Sequence, residues 1–74
     1  MLHQAENYSW KTPTVSDGDE FIMCNLVQET PLSDIFNGVT GLKFYRCNLV
    51  NIKLPPDAQV ELCNTAQIEY ELEE

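Results

Sequence analysis

From Leu42 onward, the apolar positions of the chain keep a rhythm that belongs to neither common secondary structure. Leu42, Phe44, Cys47, Leu49, Ile52 and Leu54, followed by Ala58, Val60, Cys63, Thr65, Ile68 and Tyr70, advance mostly by two and three residues in alternation, and none is charged. Lys43, Arg46, Lys53, Asp57, Glu61 and Glu69, the charged residues of the same stretch, all fall between them. A strand turns every second side chain to one face, and an amphipathic helix steps by threes and fours. Two inward and three outward residues in every five describe short straight segments joined by regular corners. The longer step from Leu54 to Ala58 carries "PPD". Its prolines cannot donate to a ladder and favour a turn, so a wider corner is expected there before the rhythm resumes.

Upstream the signal is weaker. A strand is expected from about Glu20 through "EFIMCNLV". In "ETPLSDIFNG", Thr30 as an N-cap, Pro31 at the first helical position and Gly38 just past the end predict one or two helical turns over 31–37, with an irregular loop as the alternative. Residues 1–18 sustain neither period and read as a polar N-terminal arm anchored by Tyr8 and Trp10. That leaves 19–74 as one domain with an insertion over 29–41. The closing "IEYELEE" alternates in twos and ends in charge, a guard against open-ended edge pairing.

Inside this rhythm a phrase recurs: "CNLVQ" at 24–28, "CNLVN" at 47–51 and "CNTAQ" at 63–67. These stretches resemble the units of the pentapeptide-repeat proteins, which run A-(D/N)-L-x-x. In that pattern Cys24, Cys47 and Cys63 take the small inward slot and Asn25, Asn48 and Asn64 the polar corner slot. Leu49 takes the central inward slot, where Thr65 stands in the last unit. "IKLPP" at 52–56 keeps the apolar pair but has Lys53 where the corner asparagine would be. The resemblance runs from Phe21 to Tyr70, interrupted over 29–41. It implies an all-β fold: a short, irregular, right-handed β-helix of two to three coils with a small helical or loop insertion. Cys24 and Cys47 lie 23 positions apart and Cys47 and Cys63 lie 16 apart, so the coils are expected to be unequal and in places three-sided rather than built of four units. Stacking at about 4.8 Å sets like residues over like, and the Cys-Asn pairs are then structural ladders. The chain is also similar to short phage and prophage proteins that share "CNLVN", a proline turn and a "CN" ending. Two or three coils cannot close their own ends; the N-terminal arm, the 29–41 insertion or other copies of the chain could cover them, and a homo-oligomer, dimer or trimer, is the expected remedy.

Composition narrows the chemistry. A chain of 74 residues has little core to spare and commonly needs a disulfide, a metal or a partner copy. Three cysteines cannot all pair in one chain, none is spaced C-x-x-C, and the single histidine, His3, is remote from them. Buried reduced thiols are expected, with no zinc site. Residues 1–11 lack the basic and apolar regions of an export leader, and no run approaches the roughly 20 apolar residues that span a bilayer. The expected address is a bacterial host cytosol, or a virion if the protein is structural, with no membrane contact. Twelve acidic residues against four basic ones give a net charge of −8. Such a molecule repels phosphate backbones, which excludes direct nucleic-acid binding, and attracts basic protein surfaces.

Catalysis finds no foothold in these residues. Nucleophilic chemistry needs a thiol or hydroxyl beside a base. Glu69, Glu71, Glu73 and Glu74 read as a solvated face rather than an acid-base pair, and Gly18, Gly38 and Gly41 make no phosphate loop. No enzyme activity, cofactor or metal is expected. The leading expectation is a non-catalytic accessory protein of phage type that engages an unidentified host protein with a basic surface. It would do so through Glu61, Glu69, Glu71, Glu73 and Glu74, as an inhibitor or counter-defence factor, with nucleic-acid mimicry as one form. The alternatives are a structural component of a virion or other assembly, and an oligomeric sponge for a phosphorylated small ligand. In the latter, Lys43, Arg46 and Lys53 would hold the anion rather than pair with acids on the adjacent coil.

Overall fold

A computed structural model of the chain describes residues 1–71. The protein is all-β: among the described residues there are nine short strands and no helix. These are β1 Leu2–Gln4, β2 Glu20–Ile22, β3 Asn25–Val27, β4 Lys43–Tyr45, β5 Asn48–Val50, β6 Lys53–Leu54, β7 Gln59–Glu61, β8 Asn64–Ala66 and β9 Glu69–Tyr70. They form three sheets ordered β1-β2-β4-β7, β3-β5-β8 and β6-β9, and every pair is parallel. Apart from β1 and β2, consecutive strands do not pair with each other. The last two passes of the chain each lay one strand on each sheet, the first two are completed in part by isolated bridges at Asn7 and Ser33, and a strand's partner comes from the pass before or after.

In-register stacking turns the sequence rhythm into columns. Phe21 lies opposite Phe44, and Phe44 opposite Val60, on the first sheet; Leu26, Leu49 and Thr65 line up on the second. The six inward positions from Leu42 to Leu54 are all buried, as are Phe21, Cys24, Leu26 and Phe36. Full burial of a leucine or phenylalanine stabilises by about 1.5–3 kcal/mol, so these ten side chains carry the core. Phe21 and Phe44 stack at 5.1 Å between ring centroids, and Phe36 meets both edge-on at 5.8 and 5.4 Å.

The corners differ from the expectation. Asn25, Asn48 and Asn64 do not turn the chain; they open β3, β5 and β8 and pair in register. The left-handed backbone lies two residues earlier, at Ala5, Met23, Arg46 and Leu62, with φ between 51 and 54°. A second set of corners uses Trp10, Leu32, Asn51 and Gln67, with φ between 53 and 59°. None of these eight residues is β-branched, the type that tolerates positive φ least. At the third corner Gly18 and Gly41, with φ of 80 and 71°, stack so closely that a Cβ on Gly41 would sit 3.5 Å from the Gly18 Cα.

Two upstream expectations are corrected. Residues 31–37 form turns rather than a helix: Leu32 is left-handed, and Ser33 bridges to Ile52 as a continuation of the third sheet. Thr30, Pro31 and Gly38 serve turns as well as helix ends, which is why the cap signal misleads. The register offset is 23 residues between β3 and β5 but 19 at Ser33 and Ile52. The segment over 29–41 is therefore a lengthened part of a pass, with four extra residues between Val27 and Ser33. Residues 1–18 are likewise not a free arm. β1 pairs with β2 and Asn7 bridges to Asn25, so "ENYS" at 6–9 is a further unit in which Tyr8 takes the central slot.

The two ends of the stack are finished differently. At the N-terminal end His3 packs flat on Phe21, 4.2 Å between centroids and 4° from parallel, yet is only 4% exposed. Pro13 is buried, Val15 packs on the core, and Gln28 Nε2 donates to the carbonyls of Lys11 and Tyr8. The segment over 11–19 thus packs onto the core at that end, while β1 remains an edge strand of its sheet. At the other end Val60, Cys63 and Ile68 are half-buried and Thr65 and Tyr70 exposed, with no further pass over them among the described residues.

Candidate interaction surface

The cysteine and asparagine columns are connected by hydrogen bonds from one pass to the next. The Cys24 thiol donates to the His3 carbonyl and the Cys47 thiol to the Phe21 carbonyl, each at 3.2 Å, and the Cys47 N–H donates to Cys63 Sγ at 3.3 Å. Burial pushes the Cys47 thiol up to about 11, a protonated and unreactive state at neutral pH. Asn48 Nδ2 donates to Asn25 Oδ1 at 2.8 Å, and Asn25 Nδ2 to Ser9 Oγ at 2.6 Å. Bonds of this kind fasten passes together, and the asparagine column is joined in this way between Ser9, Asn25 and Asn48, while Asn64 stands exposed beyond it.

The three cations of the anion reading do not converge. Lys43 lies on β4, 3.9 Å from Glu20. Arg46 is at the corner after it, with its guanidinium 5.5 Å from the Tyr45 ring centre. Lys53 lies on β6, a different sheet, in register with Glu69. No face gathers all three.

The acidic residues are also divided. Glu61 ends β7 and is exposed, Glu69 is exposed on β9, and Glu71 follows it half-buried; Glu73 and Glu74 lie outside the described residues. Glu71 Oε1 is buried without a nitrogen or hydroxyl donor. A hydrogen bond shared with Asp34, then burial, raises the Glu71 carboxyl above the usual range, as a proton held between two carboxylates requires. Asp34, Asn37, Lys53, Glu69, Tyr70 and Glu71 line one open cleft. A smaller groove of about 160 Å³ crosses the first sheet between Glu20, Ile22, Lys43, Tyr45, Gln59 and Glu61.

Sequence reasoning missed a buried polar chain at the N-terminal end. Asp19 occupies the inward slot that Leu42 and Ala58 fill in later passes, and its Oδ2 lies 3.0 Å from His3 Nε2. His3 Nδ1 is in turn 2.8 Å from the Tyr8 hydroxyl. Asp19 also accepts from the Met1 ammonium at 2.9 Å and the Ser16 N–H at 3.1 Å. The Met1 ammonium first and His3 second hold the Asp19 carboxyl down to about 2, against the opposing effect of burial. An ionised carboxylate only accepts, which places a proton on His3 Nε2. Carboxylate, imidazole and hydroxyl in a row resemble a catalytic relay, but burial raises the Tyr8 phenol further from ionisation. His3 and Asp19 are enclosed, so the chain secures the first pass rather than facing a substrate.

No known protein family, characterised protein or solved structure matches this chain. Among the described residues no helix is long and apolar enough to cross a membrane.

Proposed function

We propose that the chain is a non-catalytic binding protein. In this reading the three parallel sheets wind as a short β-helix in the manner of pentapeptide-repeat proteins and hold an acidic exterior in fixed register for a basic surface on a partner protein. The supporting observation is the distribution of charge. Lys43 sits beside Glu20 and Lys53 shares a cleft with Asp34, Glu69 and Glu71, so these two cations lie among acidic neighbours. Glu6, Asp17, Glu29, Asp57 and Glu61 stand exposed around it within a net charge of −8. Fixed like charges on a rigid surface accelerate encounter with a basic partner at low ionic strength. The similarity to short phage proteins makes a host protein the natural target, with inhibition or counter-defence as the outcome.

Affinity capture from bacterial lysate tests this, using the intact chain and a Glu29→Lys, Glu61→Lys double variant. A basic partner is expected at low salt, released as salt rises, and lost with the variant. No partner at low salt, or one indifferent to both salt and charge reversal, removes the reading. The exposed Thr65 and Tyr70 of the last described pass favour a second one, a structural part of a virion or other assembly, which mass spectrometry of purified particles decides.

A further inference from the structure

We infer that the groove on the outer face of the first sheet, together with the corner beside it, is a docking site for a segment of a partner protein that carries an apolar side chain next to a carboxylate. The site differs in place and chemistry from the acidic exterior and does not rest on it. Two columns build the face: Glu20, Lys43 and Gln59 form one, Ile22, Tyr45 and Glu61 the other, in register from strand to strand. The groove of about 160 Å³ runs between them, floored by Phe21 and Phe44, whose rings turn into the core. Pockets that enclose a small molecule measure roughly 300–1,000 Å³, so this groove is sized for one side chain of a larger partner.

The corner that follows extends the apolar wall. The Met23 N–H donates to the Tyr45 carbonyl and the Arg46 N–H to the Glu61 carbonyl, which sets the corner residues Met23, Arg46 and Leu62 one over another on successive passes. All three hold φ between 51 and 54°, a region that glycine or asparagine occupies with less strain. Met23 is nevertheless 50% exposed and Leu62 71%. Their side chains serve neither the core nor the backbone preference of the turn. Strain kept at an exposed position points to a use for the side chain that it holds out, and apolar surface rimmed by charge marks a contact site.

Charge selects the occupant. Lys43 and Arg46 are two of only four basic residues in a chain of net charge −8. The Arg46 guanidinium lies 5.5 Å from the centre of the Tyr45 ring, which walls the groove, and among the described residues it forms no ion pair. Lys43 reaches Glu20 only at 3.9 Å, with both side chains about half exposed. A partner that seats an apolar side chain against Tyr45 and Met23 strips water from the guanidinium, and a charge buried without a counter-charge is costly. A carboxylate on the partner answers it with a two-pronged contact, whereas a basic segment is repelled. Glu20 and Glu61, at opposite corners of the groove, keep off a polyanion such as a phosphate backbone. Tyrosine and arginine are also the residues that most often carry the binding energy of protein interfaces.

Selection of a displayed random-peptide library on the intact chain provides the test, run in enough salt to screen the acidic exterior. The variants Arg46→Glu, Arg46→Lys, Met23→Gln and Glu29→Lys stand alongside. Arg46, Met23 and Glu29 are exposed, so each variant keeps the fold, which circular dichroism checks. Enriched sequences are expected to share an acidic residue close to a large apolar one, and the corresponding synthetic peptides to shift the amide resonances of Ile22, Met23, Tyr45 and Arg46. Their affinity falls by about tenfold or more in Arg46→Glu and by about fivefold in Met23→Gln. Arg46→Lys weakens it less than Arg46→Glu, and Glu29→Lys leaves it unchanged. A pool without an enriched acidic-apolar sequence, resonances that shift only on another face, or binding indifferent to Arg46→Glu would overturn the inference. None of these outcomes bears on capture of a basic partner, which the Glu29→Lys, Glu61→Lys double variant decides.

Discussion

Asp19 shows how a single residue at an inward position sets a condition on the whole fold. Its carboxyl lies at about 2 in the folded chain against an ordinary 3.8, so on acidification the unfolded chain takes up the proton first. The stability it contributes is complete above the ordinary value and drains away as pH falls from there through about 2. Denaturant unfolding across that window is expected to show a falling free energy, and Asp19→Asn is expected to flatten the slope. None of this was visible beforehand, because His3, Glu6 and Tyr8 do not read as an inward pattern. The rings and hydrogen bonds of His3 and Tyr8 fill slots that the later passes give to phenylalanine and leucine, while Glu6, at the position of the cysteines, stays exposed. The cysteines and asparagines, by contrast, were legible at once, since a column repeats the same side chain for the same steric reason.

At the scale of the element, strands of two or three residues persist only because the corners between them are fixed. Leu62 carries a φ of 51° with its side chain 71% exposed, so backbone preference can be separated from packing. Leu62→Asn is expected to stabilise by about 0.5–1 kcal/mol and Leu62→Val to destabilise by about 1–2 kcal/mol, because asparagine tolerates the left-handed region and a β-branched residue does not. Thermal and denaturant melts measure both. Phe36 makes the complementary case: buried against Phe21 and Phe44, it is expected to cost about 3–5 kcal/mol when cut to alanine, whereas Thr30→Ala, on the exposed part of the same excursion, changes stability by less than about 0.5 kcal/mol. The sequence displayed turn residues here but could not say that they rejoin the third sheet at Ser33, since that depends on the register of Ile52 nearly twenty residues later.

For the molecule as a whole, alternating inward positions announced a stack, and the twelve predicted from Leu42 onward divide in the structure. The first six are sealed, whereas Ala58, Val60, Cys63 and Ile68 of the second six are half-buried and Thr65 and Tyr70 exposed, for a reason no local pattern contains: the second set belongs to the last described pass. The excess of acid works against this compact arrangement by self-repulsion. Monovalent salt is therefore expected to raise the melting temperature by a few degrees at constant protein concentration, as screening shortens the reach of each charge, and a calorimetric series reads the change directly. The four extra residues between Val27 and Ser33 carry a practical corollary. They leave the ladder after Val27 and return to it at Ser33, so this detour is a tolerant port: foreign peptides grafted at Glu29 and Thr30 should be displayed from a stiff scaffold that folds as before.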